Sequence, residues 1–196
     1  MPFQQRYDQE INLMVCTGVR VNRTRTPQEM LDATGRYVKI MCAEGYDLNE
    51  MSRGEGEEVT IYFFNTPRTM SFEEILQECD QKGLVPADPY SLAALNEEDP
   101  EYAYIAPNLT FWKSADGWWR TLEFMVKAGR GKSVFVSKST GAREDRDIAC
   151  FRKKDSSMLE SNSIVASTQE SQEDDEAIER YKEAIVKDWN DKWEEK

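Results

Sequence analysis

The chain has 196 residues, of which 39% are hydrophobic and 32% charged, and its formal net charge is −12. This apolar content excludes disorder of the whole chain, and the acidic excess disfavours a general attraction to nucleic acids or anionic membranes. Histidine is absent, which excludes histidine-dependent nucleophilic sites, imidazole metal sites and histidine-based pH switches. No segment approaches the roughly 18 apolar residues of a membrane span and the N-terminus does not resemble a signal peptide, so we expect neither membrane insertion nor export.

The first half of the sequence predicts short strands that alternate with capped helices. β-Branched and apolar runs indicate strands at 11–21, 37–42 and 59–64, and the polar, glycine-bearing stretch 43–58 indicates a loop. Three helices are predicted from the signals at their N-termini. Two of these signals are capping boxes, and the third is an N-cap residue followed by proline. These signals are Thr26 with Glu29 before a helix at 27–34, Ser71 with Glu74 before a helix that ends at Gly83, and Asp88 with Pro89 before a helix at 89–96.

The sequence pattern changes after Pro107, where runs of β-forming residues follow one another closely. Strands are predicted at 109–114, 118–126, 133–137 and 147–151. The connections contain Asp-Gly, Gly-Arg-Gly and Ser-Thr-Gly, and such glycine-containing tips between β-rich runs indicate hairpins. We therefore expect an antiparallel meander of four strands.

The last 42 residues have a different composition. Residues 155–173 are rich in Ser, Glu and Gln and lack aromatic residues, which is typical of a linker. Residues 174–196 return to helix-forming types, and their large apolar residues recur at steps of three or four, so that they share one helix face. These residues are Ile178, Tyr181, Ile185, Trp189 and Trp193.

These patterns together predict an α+β fold. It is expected to be a small antiparallel β-meander with short capped helices packed on it, followed by a C-terminal amphipathic helix on a linker. The expected organisation is an α+β domain at 1–154, a Ser/Glu-rich linker at 155–173 and the C-terminal helix at 174–196.

Five sequence strings carry a family resemblance. They are TPQEMLDATGR at 26–36, RGEGEE at 53–58, GLVPADPYSLAA at 83–94, NEEDP at 96–100 and the tryptophan-containing stretch that ends in FRK at 151–153. This combination resembles a family of uncharacterised small proteins encoded by candidate-phyla bacteria of the Parcubacteria type. The resemblance implies a bacterial source and a domain boundary near residue 153, and it implies no activity and no functional residue.

The four cysteines are dispersed, without a CxxC pair or zinc-ribbon spacing. In a chain of this length, dispersed cysteines are typically small buried hydrophobic residues. We therefore expect Cys16, Cys42, Cys79 and Cys150 to be reduced thiols in a cytoplasmic protein, with no obligatory disulfide.

Charge is distributed unevenly along the chain. The net charge is −10 for residues 1–108, +6 for 109–154 and −8 for 155–196, with Lys+Arg against Asp+Glu counts of 9 and 19, 11 and 5, and 5 and 13. In the basic segment, aromatic residues alternate with cations, an arrangement that suits single-stranded nucleic acids, because bases stack while phosphates pair. The candidate anion-binding residues are Trp112, Lys113, Trp118, Trp119, Arg120, Lys127, Arg130, Lys132 and Lys138.

The ordinary interpretation of this segment is structural. In a meander, alternate residues point into the core and the remainder form the solvated face. The alternation of aromatic and basic residues favours that interpretation over a nucleic-acid surface.

The C-terminal helix is the second candidate site. Its five apolar residues, Ile178, Tyr181, Ile185, Trp189 and Trp193, form the predicted partner-binding stripe, since a tethered helix with aromatic anchors suits recognition in a groove. The alternative is that the helix completes the core of its own domain or crosses to a second copy. Its acidic polar face complements the basic segment 109–154, which favours docking there in either case.

Function is predicted largely from what the motifs exclude. The sequence lacks histidine, metal-ligand spacing and a cofactor-binding loop, so we expect no enzyme activity, no catalytic residues, no cofactor and no metal. The expected function is that of a protein-interaction module of the bacterial cytoplasm, which binds a protein partner or a second copy through the C-terminal helix, the sheet or both. The alternative is nucleic-acid or polyanion binding through 109–154.

We predict that residues from about 20 to 153 fold without the C-terminal part of the chain, because the capped helices and the meander already supply alternating core positions. A chain truncated after Lys154 is expected to unfold in one cooperative thermal transition, measured by circular dichroism beside the full-length protein. A melt without a cooperative transition contradicts this prediction.

Overall fold

A computed structural model of the protein describes residues 3–9, 12–42, 46–127 and 131–153. The strands are β1 Gln4–Asp8, β2 Leu13–Arg20, β3 Tyr37–Met41, β4 Glu58–Asn65, β5 Met70–Ser71, β6 Leu84–Pro86, β7 Asn108–Lys113, β8 Trp119–Lys127, β9 Gly131–Lys138, β10 Gly141–Ala142 and β11 Asp147–Arg152. The helices are α1 Pro27–Ala33, α2 Phe72–Gln81, α3 Pro89–Glu98 and α4 Tyr102–Ile105, with a 3-10 turn at Leu48–Glu50. Within these ranges, no helix has the length and apolarity needed to cross a membrane.

Nine of these strands form one mixed sheet. Eight of them follow the order β1-β2-β4-β11-β7-β8-β9-β3, and β6 pairs with the last residues of β11, on the side where β7 pairs with its first residues. Neighbours in this order are antiparallel, except that β11 is parallel to β7 and β9 is parallel to β3. The strands β5 and β10 pair with each other in a separate two-stranded ribbon. The class is therefore α+β, as the sequence predicts.

The predicted small antiparallel meander is wrong in its extent and in its fourth strand. β7, β8 and β9 form the antiparallel succession that the glycine-containing tips indicate. The fourth strand, β11, does not follow β9 but lies on the other side of β7, parallel to it, and antiparallel to β4. The predicted tip at Ser139–Gly141 is instead the start of β10, whose pairing with β5 turns the chain away from β9. Hairpin signals describe sequential neighbours, so they do not detect a strand that returns to the middle of a sheet.

The helices begin where their caps predict. In α1 the Thr26 hydroxyl accepts from the Glu29 N–H, and the Glu29 carboxylate accepts from the Thr26 N–H at 2.8 Å. In α2 Ser71 and Glu74 make the same reciprocal pair. Asp88 caps α3 by accepting from a backbone N–H in the first turn at 3.0 Å. Side-chain caps satisfy N–H groups that have no partner within the helix, which is why these local signals identify the helix starts.

Two hydrophobic clusters lie on opposite faces of the sheet, because successive side chains of a strand point to opposite faces. The first cluster contains Leu122 and Phe124 of β8 together with buried residues of α1, α3 and α4. The second contains Phe111 of β7 and Ile148 of β11 together with buried residues of α2, β5 and β10. The helices α1, α3 and α4 therefore pack on one face of the sheet, while α2 and the ribbon pack on the other.

The structure describes all four cysteines as free thiols. Cys79 of α2 and Cys150 of β11 are buried with their sulfur atoms 3.5 Å apart. Burial raises the pKa of Cys16 to about 12. These thiols are packing residues of the two clusters.

The predicted linker at 155–173 and the predicted helix at 174–196 lie outside the described residues. The same holds for its five partner-binding residues, Ile178, Tyr181, Ile185, Trp189 and Trp193.

We predict that Glu74→Gln destabilises the protein in a pH-dependent manner. Hydrogen bonds from the Ser71 N–H, the Arg68 guanidinium and the Ser71 hydroxyl lower the pKa of Glu74 from 4.5 to about 2. A carboxylate whose pKa is depressed by folding stabilises the fold above its unfolded pKa, and this contribution is lost as the pH falls through the folded value. The stability difference between wild type and variant is therefore constant near neutral pH and shrinks between 4.5 and about 2.

Urea titrations at several pH values measure this difference. Ser71→Thr keeps a capping hydroxyl and is the control, expected to follow the wild-type pH profile. A difference that does not change down to acidic pH contradicts the assignment of Glu74 to the cap of α2.

Candidate binding site

A groove of about 650 Å³ lies between the β5–β10 ribbon and the face of the sheet formed by β8, β9 and β3. It is on the face that carries α2. β3 is the edge strand, and its residues Tyr37 and Met41 are 69% and 45% exposed. At the groove, the side chains of this face of the sheet are therefore not fully covered by α2 or by the ribbon.

The wall of the groove depends on a close approach of two backbone segments. Gly141 pairs with Ser71, and a Cβ at Gly141 would overlap the carbonyl oxygen of Met70. The Phe72 N–H donates to the Thr140 carbonyl at 3.2 Å, which ties the ribbon to the first residue of α2. Only glycine allows this approach, because every other residue carries a Cβ.

The floor of the groove is built from β8 and β9 and combines apolar and paired polar groups. The Arg146 Nε donates to the Glu123 carboxylate at 2.6 Å, and both side chains are largely shielded from solvent. The hydroxyls of Thr121 and Ser137 are 2.7 Å apart across the two strands. Apolar lining comes from β8, β9 and β3, through Met125, Phe135 and Met41.

The charged residues along the groove include one more cation than carboxylates. The described lining residues include three cations, Lys138, Arg143 and Arg146, and two carboxylates, Glu73 and Glu123. The Trp119 indole N–H donates to Glu73 at 2.8 Å and lowers the pKa of that carboxyl. Because Glu123 pairs with Arg146, the remaining charged residues of the lining are the cations Lys138 and Arg143 and the carboxylate Glu73.

The candidate anion-binding residues fall into separate places. Trp119 packs on Phe111 and Phe72 with ring centroids 5.5 and 5.7 Å apart, and the Lys113 ammonium lies 5.5 Å from its ring centroid. This aromatic group belongs to the second hydrophobic cluster. Trp119 therefore packs against the hydrophobic cluster on the face that carries α2.

Other members of that set lie on or near the opposite face. Trp112 packs against the first cluster and Arg120 is 2% exposed. Trp118 is 48% exposed, and the Lys138 ammonium lies 3.2 Å from its ring centroid.

Lys132 lies at the other end of β9. Lys132 pairs with Glu101 and lies 5.6 Å from the Tyr104 ring centroid. Arg130 and the side chain of Lys127 lie outside the described residues. The described members of the set thus do not form one continuous aromatic and basic surface, and their distribution over two faces follows the alternation of the strands.

Among the described residues that line the groove, Lys138 alone belongs to the sequence-derived candidates. Thr121, Glu123 and Met125 alternate on β8 with the residues of the first cluster, and this period of two is the signal that could have separated the two faces. The ribbon strands β5 and β10 have two residues each, which is too short for any periodicity to show.

Comparison with known proteins identifies no relative: no family model, no curated protein and no solved structure matches the chain. Within the ranges that the structure covers, no cluster of three or more Cys, Asp or Glu side chains is arranged to hold a metal ion. Function is therefore inferred from the geometry of the groove and from the charges around it.

We predict that Gly141→Ala lowers the free energy of unfolding by about 1–3 kcal/mol, because the ribbon must shift to admit the added methyl group. Thr140→Ala, at an exposed neighbour in the same turn, is expected to change it by less than about 0.5 kcal/mol. Urea unfolding of the two variants measures the difference. Equal stabilities for both variants contradict a tightly packed ribbon.

Proposed function

We propose that this protein is a non-enzymatic protein-interaction module that binds its partner on the groove between the ribbon and β8, β9 and β3. The observation that carries the proposal is the apolar lining that β8, β9 and β3 give the groove through Met125, Phe135 and Met41, of which Met41 is 45% exposed. Large apolar side chains that cluster beside a groove typically mark a site that another polypeptide covers.

The occupant that we assign to the groove is the segment 174–196 of this chain. Its sequence predicts a helix with one apolar stripe that ends in Trp189 and Trp193, and helices of this kind bind in apolar grooves through aromatic anchors. Burying such side chains stabilises by roughly 1.5–3 kcal/mol each before the cost of ordering the segment.

The length of the connecting chain permits this occupant to come from the same molecule. The described chain ends at Lys153, whose N–H donates to the Gly83 carbonyl at 2.8 Å. β9 is three strand positions from β11, which is about 14 Å. The 20 residues from 154 to 173 span up to about 66 Å when extended. A connection of this length is long enough to reach the groove of the same molecule or that of a second copy.

Charge complementarity supports the same occupant. Residues 155–196 carry 13 acidic and 5 basic residues. The groove presents Lys138 and Arg143 beside it, and Lys39 is exposed on the adjoining edge strand. Opposite charges of this kind favour the encounter and fix its orientation more than they add affinity.

We propose a cytoplasmic location for this interaction. All four thiols are free, and Cys79 and Cys150 remain unbonded although their sulfur atoms are 3.5 Å apart. Close, unbonded thiols are typical of proteins in a reducing compartment.

We predict that Met41→Asp releases segment 174–196 in the full-length protein, because it places an unpaired carboxylate among apolar groups of the groove. Hydrogen–deuterium exchange of that segment is expected to accelerate by about tenfold or more, since the loss of a buried methionine contact is worth roughly 1.5–3 kcal/mol. Ile40→Asp is the matched control. Ile40 is also 45% exposed, but it points to the opposite face of the same strand, so its replacement is expected to leave exchange of the segment unchanged.

The double change Trp189→Ala with Trp193→Ala is expected to accelerate exchange as Met41→Asp does, and to add little when combined with it. Sedimentation at several concentrations distinguishes docking within one molecule from a dimer that Met41→Asp dissociates. A segment that exchanges as fast as an unfolded peptide in the wild type contradicts the proposal, as do equal effects of Met41→Asp and Ile40→Asp.

The nucleic-acid alternative has a separate readout. Of Trp112, Trp118 and Trp119, Trp118 is the exposed one, so a stacking surface would have to centre on it and on Lys138. Salt-dependent retention of single-stranded RNA or DNA that Lys138→Glu abolishes and Met41→Asp does not change would favour this alternative over the groove.

A further inference from the structure

The strand β3 has a neighbour on only one side within the described part of the sheet. It pairs there with β9 alone, so the other side of its backbone presents N–H and C=O groups to a further strand. Its apolar side chains are exposed as well. Of the six large hydrophobic side chains that are exposed among the described residues, Tyr37, Ile40 and Met41 belong to this strand of five residues.

The opposite edge of the sheet has a different composition. β1 has the sequence QQRYD, and polar or charged side chains on an edge strand oppose its pairing with further chains. β3 has the sequence YVKIM, in which Lys39 is the one charged residue. The edge at β3 thus has the composition of a strand that is paired on both sides.

A short run in the C-terminal part of the chain has the composition of a strand. Residues 161–169, SNSIVASTQ, carry no charge, no proline and no glycine, within a stretch that is rich in Ser, Glu and Gln. The three β-branched residues of 154–173 are Ile164, Val165 and Thr168, and β-branched residues favour strands. We propose that residues 164–168 pair with β3 as a further, antiparallel edge strand.

The register of the sheet sets the direction of this strand. The row of paired residues that contains Met41 of β3 crosses β9 and β8 to Phe111 of β7. β7 is parallel to β11, with Leu109 beside Ile148, so the row meets β11 near Cys150. The chain therefore leaves β11 at the same end of the sheet at which Met41 ends β3. Because β11 and β3 run in the same direction, a strand that enters beside Met41 is antiparallel to β3.

The connection from β11 is long enough for this path. The position beyond β3 is five strand positions from β11, which is about 24 Å. The ten residues 154–163 span up to about 33 Å when extended. An antiparallel neighbour that enters at this end of the sheet also requires no crossover helix.

One register gives every exposed apolar residue of β3 a β-branched neighbour. Residues directly opposite each other in an antiparallel pair lie on the same face and pack together, and pairs of aromatic and β-branched residues are among the favourable ones. The opposite pairs in this register are Ile164 with Met41, Val165 with Ile40 and Thr168 with Tyr37. Lys39 then lies opposite Ala166, so that no two charges face each other across the strands.

Charge favours this segment over a second copy of β3. When two β3 strands overlap fully in antiparallel pairing, Lys39 lies opposite Lys39 of the second copy, and like charges directly opposite each other are destabilising. Residues 155–173 carry four carboxylates and no cation. They therefore approach Lys39 without this repulsion.

Pairing at the edge of β3 is separate from binding in the groove. It involves the backbone of β3 and residues 164–168, whereas the groove is assigned to the segment 174–196. A strand at 164–168 ends beside Tyr37, and residues 169–173 then lead toward the groove from the edge that borders it. Either interaction can form without the other, and exchange at β3 and exchange at 174–196 are separate measurements.

Solution NMR of the full-length protein tests the pairing directly. Close Hα–Hα contacts are expected at alternate pairs of the register, because the Cα atoms of pairs without mutual hydrogen bonds are only about 4.5 Å apart. These contacts join either Ile164 to Met41 or Val165 to Ile40. The amides of β3 that point away from β9 are expected to be protected from exchange with deuterated water.

Proline variants test whether residues 164–168 provide this protection. The N–H groups of a strand alternate between its two sides, so one of Val165→Pro and Ala166→Pro removes a donor that points to β3. That variant is expected to accelerate exchange of the outward β3 amides by about tenfold or more. Ser157→Pro lies in the connection and is the matched control, expected to leave this exchange unchanged.

Three results overturn the proposal. The first is exchange of the outward β3 amides in the wild type at the rate of an unfolded peptide. The second is an equal effect of Val165→Pro, Ala166→Pro and Ser157→Pro on this exchange. The third is protection that rises with protein concentration and persists in both Val165→Pro and Ala166→Pro, which would identify a second copy as the neighbour of β3.

Discussion

The backbone hydrogen bonds of β11 hold the two halves of the sheet together. This strand is the last of the described chain, yet it lies in the middle, antiparallel to β4 through residues 147–150 and parallel to β7 through residues 147–148. Without it, β1, β2 and β4 would form one sheet and β7, β8, β9 and β3 another. Ile148, Ala149 and Cys150 have no exposed surface, and Asp147 accepts from the Asn65 amide at 2.9 Å. Such non-local pairing requires the chain to be complete to residue 152 before the sheet closes.

What the sequence predicts well is local, and what it predicts poorly is the pairing between distant segments. The capping boxes of α1 and α2 act within four residues, so their positions could be read directly. The place of β11 depends on β4, more than 80 residues away, and no hairpin signal reports that pairing. No sequence signal indicates the groove for the same reason, because its lining combines β3, β8 and β9 with the short strands β5 and β10. The candidate residues in 109–154 share aromatic or basic character but not one face, because the register of the strands separates them.

The unequal covering of the two faces explains why a groove exists. One face packs against α1, α3 and α4, which lie in the first half and middle of the chain. The other face has α2 and the ribbon, and their apolar residues pack mainly on β11 and β7. A ten-residue helix is about 15 Å long, so it cannot also cover three more strands. An amphipathic helix from elsewhere would complete this layer in the way that α+β folds usually do.

The alternation of β8 separates residues that the sequence presents as one run. Thr121, Glu123 and Met125 line the groove, while Leu122 and Phe124 belong to the first hydrophobic cluster. In the sequence, β8 and its flanking residues form one run of mixed aromatic, basic and polar character, which resembles a single surface. In the sheet, the period of two divides this run between the groove face and the face that carries α1, α3 and α4. Each face therefore presents only half of the residues of the strand.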